Sequence, residues 1–259
     1  MVCSLLCSGG ANTNTICLKV LKNCSDFEEG EVLLLQKPLY WTSFDLVNKV
    51  KLAIRHHCGL KKLKVGHAGT LDPLATGLMI VCTGKATKKI DEFRDLDKEY
   101  TAVIRFGQTT PSFDLESEVD GEYPADHITA GLITEKLSGF LGGQLQEPPL
   151  FSAKFVDGKR AYELARKKIE KRLAEVKVIF RELELLGFRE NEATIRIVCS
   201  KGTYIRAFAR DLGLALGSGA YLRGLVRNAI GKFRVENALT PEELKYILEN
   251  LKQIENSIV

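Results

Sequence analysis

The sequence predicts an α+β domain built around one mixed sheet, and three observations lead to that class. Strand-like and helix-like segments follow one another without the regular β–α–β alternation that a doubly wound parallel sheet requires. The 259 residues, 45% of them apolar and 27% charged, suit one large domain with an ordinary hydrophobic core. The sequence contains no internal repeat and no low-complexity tract, so a solenoid or fibrous architecture is not expected.

The globular part of the chain is expected to run over residues 31–259. Residues 1–30 are rich in Ser, Asn and Cys without clear periodicity, so we expect a poorly ordered extension there. Residues 32–37 are mostly apolar and are followed by Pro38, which predicts a short buried strand. The change of composition at Glu31 therefore marks the predicted start of the domain.

A capping box predicts the first long helix. Thr42 is followed three residues later by Asp45, and Gly59 is a typical helix stop. Apolar residues recur between these signals at helical spacing and predict the face that turns to the core, namely Phe44, Val47, Val50 and Ile54.

The remaining segments alternate between strand and helix patterns in no regular order. The strand predicted at 99–106 alternates strictly, and one of its faces carries Tyr100, Ala102, Ile104 and Phe106. The other predicted elements, in chain order, are a strand at 78–82, a helix at 86–93, a polar loop at 107–127, a helix at 128–142, strands at 175–187 and 193–200, a helix at 204–216, a closing strand at 231–235 and a capped helix at 240–256.

Charge and cysteine usage set loose bounds on function. The chain has 37 basic and 33 acidic residues, a net charge of +4, which permits a nucleic-acid partner without requiring one. Its seven cysteines include no Cys-x-x-Cys pair, and its four histidines complete no zinc pattern, so no metal is expected. Cys58, Cys82 and Cys199 are interpreted as small buried hydrophobes, and a reducing compartment is the simplest setting.

The sequence gives no sign of membrane insertion. No run of 18 apolar residues is present, and the first residues lack the basic start and long apolar core of a signal peptide. We therefore expect a cytoplasmic protein without a membrane partner.

A glycine-rich loop carries the strongest candidate for chemistry. Gly66, Gly69 and Gly77 frame His67 and Asp72, and the proline after the aspartate favours an extended or turn conformation. The alternative is a structural turn in which Asp72 is a local cap. No GK[ST] ending follows and no Gly-x-Ser-x-Gly elbow is present, so use of a nucleoside triphosphate and serine hydrolysis are both disfavoured.

A basic segment at about 148–173 is the second candidate feature. Eight Lys and Arg residues occur there against three acidic ones, with Phe151, Phe155 and Tyr162 interleaved. Cations for phosphates and flat rings for bases are typical of an RNA-binding surface. An exposed basic helix that binds no partner has the same composition. The composition alone does not distinguish these two interpretations.

The segment at 64–77, KVGHAGTLDPLATG, closely resembles the catalytic motif of the TruB family of pseudouridine synthases. Further blocks resemble that family in the same order along the chain, and the match covers roughly residues 31–235. These blocks lie at 37–43, 97–100, 148–166, 199–206, 222–227 and 231–233. The resemblance implies the pseudouridine synthase fold, a mixed and mostly antiparallel sheet flanked by helices, with a basic RNA-gripping insertion at 148–173.

The resemblance also implies a reaction and its residues. A uridine in the T-loop of tRNA, at position 55, becomes pseudouridine without metal or cofactor, and Asp72 is the catalytic nucleophile of a closed pocket. Arg206 supplies the counter-charge through a bidentate contact, and Tyr100 stacks on the target base. His67, Tyr204 and Leu225 border the extruded nucleotide. Attack at C1′, attack at C6 and removal of a sugar proton all stay open as the role of the carboxylate.

The expected partner is the T-arm of tRNA, and the expected state is a monomer. RNA contacts are assigned to basic residues of the insertion, namely Lys154, Lys159, Arg160, Lys167, Lys168, Lys171 and Arg172.

The sequence departs from the family pattern at three places. Leu39 and Tyr40 replace the usual glycine-containing spacing of the first motif. The loop at 107–121 lacks the Asp-rich run of many relatives, which puts local loop contacts in doubt but not catalysis. Only about 25 residues follow the closing motif, so we expect no C-terminal PUA domain.

Two other functions stay open. One is a non-catalytic RNA-binding or RNA-remodelling protein on the same fold, and the other is a guide-RNA-dependent synthase of the dyskerin kind. The set of Asp72, Tyr100, Tyr204 and Arg206 argues against the first, since a pure binder does not need a carboxylate–arginine pair.

Overall fold

A nine-stranded sheet runs through the computed structural model, which describes residues 24–149, 155–156, 159–160 and 173–257. The described strands are β1 Val32–Lys37, β2 Val65–His67, β3 Ala75–Thr83, β4 Lys98–Phe106, β5 Gln108–Thr109, β6 Gly121–Glu122, β7 Gly142–Gln146, β8 Phe155–Val156, β9 Lys159–Arg160, β10 Val176–Arg189, β11 Glu192–Cys199, β12 Ala220–Ile230 and β13 Phe233–Arg234. The described α-helices are α1 Asp26–Glu29, α2 Ser43–Cys58, α3 Ile90–Asp95, α4 Ala130–Phe140, α5 Ile205–Ala215 and α6 Pro241–Ser257. Two 3₁₀ turns, Gly84–Lys89 and Val235–Asn237, complete the set.

The sheet is mixed, as the sequence patterns predicted, and mostly antiparallel, as the family resemblance implied. Its main order is β1-β3-β12-β4-β11-β10-β7, with β2 paired to β3 and β13 paired to β12. Only the β12–β3 pair is parallel among the described strands of this sheet. That pair brings β3, which follows the glycine-rich loop, against the strand that carries the closing motif.

The strand β4 confirms its predicted pattern. Tyr100, Ala102, Ile104 and Phe106 are all buried, and the residues between them are partly exposed. Its neighbours are β12 on one side and β11 on the other, so the alternating face lies at the centre of the sheet. Tyr100 is therefore held by two neighbouring strands rather than by a loop.

The helix α2 begins and ends where the capping signals placed it. Oγ1 of Thr42 accepts from the backbone N–H of Asp45, and Oδ2 of Asp45 accepts from the backbone N–H of Thr42. Gly59 follows the last turn in the left-handed conformation, with φ of 66°. Local signals therefore account for both ends of this helix.

The predicted core face of α2 is wrong at Phe44. Val47, Val50 and Ile54 are buried as expected, but Phe44 is 72% exposed. The first turn lies at the rim of the core, where Ser43 turns inward instead and its hydroxyl bonds both backbone groups of Leu71. An apolar residue on the first turn can therefore fit the helical spacing of the core face and still lie beyond the edge of the core.

A central strand was missed by the sequence analysis. The strand β12, Ala220–Ile230, lies between β3 and β4, whereas the predicted closing strand at 231–235 contains only the two residues of β13. Arg223, Gly224 and Asn228 interrupt the apolar pattern of β12, so no run of alternating hydrophobics marks it.

The amino-terminal boundary also differs from the expectation. The helix α1 precedes Glu31, and its Phe27 is fully buried. A disulfide joins Cys24 to Cys58, the last residue of α2. The interpretation of Cys58 as a free buried hydrophobe is therefore wrong, and cysteine usage no longer argues for a reducing compartment. Residues 1–23 lie outside the described part of the chain.

Two further features concern the free cysteines and membrane insertion. Cys82 and Cys199 are free and buried, as predicted, and burial raises the pKa of Cys82 to about 11 and that of Cys199 to about 12. Among the described helices, none is long and apolar enough to cross a membrane.

Candidate active site

Asp72 lies in the turn between β2 and β3, and hydrogen bonds hold the turn on both sides. The backbone N–H of Ala75 donates to the carbonyl of Asp72 at 3.0 Å. The residue before the aspartate, Leu71, is buried and bonded in both directions by Ser43. The carbonyl of Pro73, the residue after it, accepts from the backbone N–H of Tyr40 at 2.8 Å. These contacts fix the direction in which the carboxylate leaves the backbone.

Arg206 lies directly against Asp72. Its Nε is 2.9 Å from Oδ2 of the carboxylate, and the arginine side chain is buried. It occupies the first turn of α5, so the helix carries the cation to the loop that carries the anion. A charge-assisted contact of this kind sets the orientation of both groups.

The carboxylate itself is more open than the sequence analysis expected. The side chain of Asp72 is 41% exposed, so its free side faces solvent rather than a closed pocket. The protein therefore shields the cation of the pair and leaves the anion accessible from outside. A reactive carboxylate needs that accessibility, because its substrate must approach one of its oxygens.

A second carboxylate, which the sequence analysis did not include in the site, lies behind the pair. Asp114 is buried, and its Oδ2 is 3.5 Å from Nε of Arg206. Its Oδ1 accepts from the backbone N–H of Glu116 at 2.9 Å, and Nη1 of Arg206 donates to the carbonyl of Ser112 at 3.3 Å. The loop at 107–121 thus reaches Arg206, although we expected its departure from the family pattern to affect only local contacts.

Tyr100 on β4 lies opposite a buried arginine on the neighbouring strand β12. This register partner is Arg227, and the charge of its guanidinium acts on the phenol. Burial raises the pKa of Tyr100, while the charge of Arg227 works in the opposite direction. The same guanidinium donates to the carbonyls of Leu78 at 2.7 Å, Gly69 at 3.2 Å and Thr70 at 3.3 Å. Arg227 therefore connects the predicted base-stacking residue to the loop that carries Asp72.

Lys37 is a further buried cation near the loop. Its Nζ donates to the carbonyls of Pro38 at 2.9 Å, Trp41 at 2.5 Å and Pro73 at 3.4 Å. Burial lowers the pKa of Lys37 to about 8, and the negative charge of Asp72 partly opposes that shift. No local pattern marks Arg227 as buried, because the carbonyls that accept from it are about 150 residues away in the sequence. Lys37 bonds two nearby carbonyls, and its contact with Pro73 joins segments 36 residues apart.

The three predicted pocket residues occupy different elements around this centre. His67 ends β2, its Nδ1 accepts from the N–H of Gly69 at 3.3 Å, and burial lowers its pKa. Tyr204 precedes α5, and its backbone exchanges two hydrogen bonds with the side chain of Gln146. Leu225 on β12 pairs with Ala75 and Ala102, which bring it close in register to the Asp72 turn and to Tyr100. Their assignment as substrate-binding residues stays a prediction.

The basic insertion is described only in part. Lys159 and Arg160 form the strand β9, which pairs with β8. The other predicted RNA contacts lie outside the described residues, namely Lys154, Lys167, Lys168, Lys171 and Arg172. Within the described ranges, no group of three or more His, Cys, Asp or Glu side chains could hold a metal ion.

The mixed sheet with its flanking helices has the fold of the pseudouridine synthase class of enzymes. A solved structure titled as a Cbf5–Nop10–Gar1 complex contains a chain with the same fold, with a TM-score of 0.63 and 28% identity. The alignment covers 85% of this chain and 54% of that one, so this chain spans about half the length of the solved relative.

Sequence comparison places the chain more narrowly. The family model for the N-terminal domain of TruB family pseudouridylate synthases matches residues 55–205. The protein named tRNA pseudouridine synthase B of Parabacteroides distasonis is 57% identical over 89% of this chain and 98% of its own length. Its namesake in Phocaeicola vulgatus is 55% identical over 90% and 99%. The chain belongs to the TruB family of pseudouridylate synthases, and it is an isomerase.

Proposed function

We propose that this enzyme converts the T-loop uridine of tRNA, expected at position 55, to pseudouridine, with Asp72 as its nucleophile. The relatives named tRNA pseudouridine synthase B support tRNA as the substrate, because they match the chain almost from end to end. The observation that carries the assignment of the nucleophile is the contact of 2.9 Å between Arg206 and Asp72. It joins a buried cation to an accessible anion at the turn between two strands of the sheet.

The reaction requires little beyond this arrangement. The bond between N1 of uracil and C1′ of the sugar breaks, the base turns, and C5 bonds to C1′. C5 loses its proton and N1 gains one, so no electron acceptor or metal enters the balance. The carboxylate of Asp72 acts on the nucleotide, and Arg206 orients this carboxylate. Tyr100 provides a buried phenol ring beside the loop.

Access to the uridine requires that the nucleotide leave its stack. Extrusion costs a few kcal/mol of lost stacking, which contacts to the RNA backbone can offset. The basic insertion at 148–173 supplies the charge for those contacts in our proposal. The monomeric state and the cytoplasmic setting are parts of the same proposal.

Release of tritium from a T-arm hairpin labelled at uracil C5 tests the reaction and the nucleophile together. We expect release by the wild type and none by Asp72→Asn, since C5 loses its hydrogen only if the base is rejoined through carbon. Asp91→Asn is the control, because Asp91 lies on α3 and pairs with Arg94 at the surface. Release by both the wild type and Asp72→Asn would show that another residue is the nucleophile.

The same assay separates the two alternative functions. A wild type that binds the hairpin without releasing tritium would be a non-catalytic RNA-binding protein. A wild type that releases tritium only after a guide RNA is added would be a synthase of the dyskerin kind. The assay therefore uses protein that has been freed of bound RNA.

The insertion is tested by salt dependence. Replacing Lys167, Lys168, Lys171 and Arg172 together by Ala should weaken hairpin binding and reduce the slope of log Kd against log salt by up to about 3. Unchanged affinity at every salt concentration would place the RNA surface elsewhere.

A further inference from the structure

Tyr40 adopts a backbone conformation that its side chain disfavours. Its φ is +66°, in the left-handed region that glycine enters freely and that an L-residue with a Cβ enters at a cost. A bulky aromatic residue therefore stands at a backbone position suited to glycine. Strain of this kind persists only where the surrounding structure determines it and where something compensates for it.

The surrounding turn is firmly held. The backbone N–H of Tyr40 donates to the carbonyl of Pro73 at 2.8 Å. The buried ammonium of Lys37 bonds the carbonyls of Pro38 and Trp41, which flank the tyrosine in sequence, and that of Pro73 as well. The capping box of α2 follows immediately at Thr42. The turn therefore presents the residue at position 40 in one fixed direction.

Burial does not compensate for the strain. The Tyr40 side chain points to solvent, with the residue 75% exposed, and its neighbours Leu39 and Phe44 are exposed as well. We call these two exposed aromatic residues and the exposed leucine beside them in the sequence the aromatic platform. Because removing apolar area from water stabilises a fold and this area stays in water, the platform contributes little to folding.

The platform adjoins the candidate active site. Pro73, which accepts the hydrogen bond from Tyr40, is the residue after Asp72. Ser43, which lies between Tyr40 and Phe44 in the sequence and begins α2, bonds Leu71, the residue before Asp72. The segment that carries the platform is thus anchored to both residues that flank the predicted nucleophile.

We propose that the aromatic platform binds the RNA substrate and that the Tyr40 ring stacks on a base close to the target uridine. This inference rests on the proposed function. When a nucleotide leaves its stack, the bases beside it lose a stacking partner, and an exposed aromatic ring can replace that partner. Every base offers a flat face, so the contact supports binding and extrusion without demanding one particular base.

The test uses a substitution that relieves the strain and removes the ring at once. Tyr40→Gly should weaken binding of the T-arm hairpin by about tenfold. Its Tm should not fall, because glycine accepts the positive φ without strain. Tyr40→Phe should keep wild-type affinity, because it keeps the ring. Tyr246→Ala, which removes an exposed tyrosine on α6, should also keep it.

Three outcomes would overturn the platform. The first is unchanged hairpin affinity in Tyr40→Gly, and the second is an equal loss of affinity in Tyr40→Gly and Tyr246→Ala. The third is a wild-type dimer, seen by analytical ultracentrifugation, that Tyr40→Gly converts to a monomer with unchanged affinity, which would assign the surface to a second copy of the chain. Tritium release by the wild type in the same preparation separates failure of the platform from failure of the proposed function.

Discussion

The buried carboxylate of Asp114 lies 3.5 Å from Nε of Arg206, on the same nitrogen that contacts Asp72 at 2.9 Å. One guanidinium therefore serves two carboxylates, of which one is accessible and one is enclosed. The enclosed carboxylate balances part of the charge of Arg206 and fixes its position, while the accessible one stays available to the substrate. Loss of the enclosed charge would leave the positive charge of Arg206 less well balanced beside Asp72.

Replacing Asp114 by Asn should slow the reaction more than it weakens RNA binding. The amide keeps an oxygen for the N–H of Glu116 but removes the negative charge beside Arg206. We expect the single-turnover rate of tritium release to fall by about tenfold or more, with hairpin Kd changed by no more than about twofold.

The control for this prediction is Glu118→Gln, which removes an exposed carboxylate from the same loop. It should leave both quantities unchanged. Equal effects of the two substitutions on the rate would show that Asp114 acts only through the net charge of the loop.

Replacing Arg227 by Lys should destabilise the fold. A single ammonium cannot reproduce the contacts of the guanidinium with three carbonyls and the Tyr100 phenol. A buried carbonyl left without a donor costs about 1–3 kcal/mol. The contact with Leu78 is buried and those with Gly69 and Thr70 are partly buried, so we expect the free energy of unfolding in urea to fall by about 3 kcal/mol. Arg234→Lys, at an exposed pair with Glu99, should cost less than about 1 kcal/mol. Similar losses in both variants would mean that the buried contacts of Arg227 add no stability.

Lys37 should make stability rise with pH in the mildly alkaline range. Its folded-state pKa is about 8, below its value of about 10.4 in an unfolded chain. Between these values the unfolded chain holds more protons, so rising pH favours the folded state. Relative to Lys37→Met, the wild type should gain about 2 kcal/mol of unfolding free energy between pH values of about 8 and about 10.

The matching control is Lys49→Met, which replaces an exposed lysine of α2 and should retain the whole gain. A difference between wild type and Lys37→Met that stays constant with pH would show that Lys37 keeps an ordinary pKa in the folded protein.

Reduction of the disulfide between Cys24 and Cys58 should lower the Tm. The bond joins residues 34 positions apart, and closing a loop of that length in the unfolded chain is worth about 3–4 kcal/mol. Cys24→Ser should match the reduced wild type and should not respond to reductant. Alkylation of the native oxidised protein, followed by mass spectrometry, should leave Cys24 and Cys58 unmodified because they are joined. Cys82 and Cys199 should also stay unmodified, because both thiols are buried. A wild-type Tm that is insensitive to reductant would contradict a stabilising role for the bond.

Local signals in the sequence were sufficient for most of the elements. The capping box at Thr42 and Asp45, the glycine stop at Gly59 and the alternation of β4 each depend on a few neighbouring residues, and the structure confirms all three. The predictions that were wrong concern segments whose neighbouring residues carry no clear pattern. The strand β12 is interrupted by polar residues, and its place between β3 and β4 depends on both partners. Phe44 keeps helical spacing but lies beyond the edge of the core.

The candidate site divides in the same way. The sequence by itself determined the family motif around Asp72 and the pairing expected with Arg206, because motif residues and their order are local information. Only the tertiary structure brought Asp114 to Arg206, Arg227 to Tyr100, and Lys37 to the turn at Pro73. Each of these contacts joins distant parts of the chain, and a buried charge is stable only where such distant partners converge. Their positions therefore depend on the packing of the whole sheet, which no local pattern encodes.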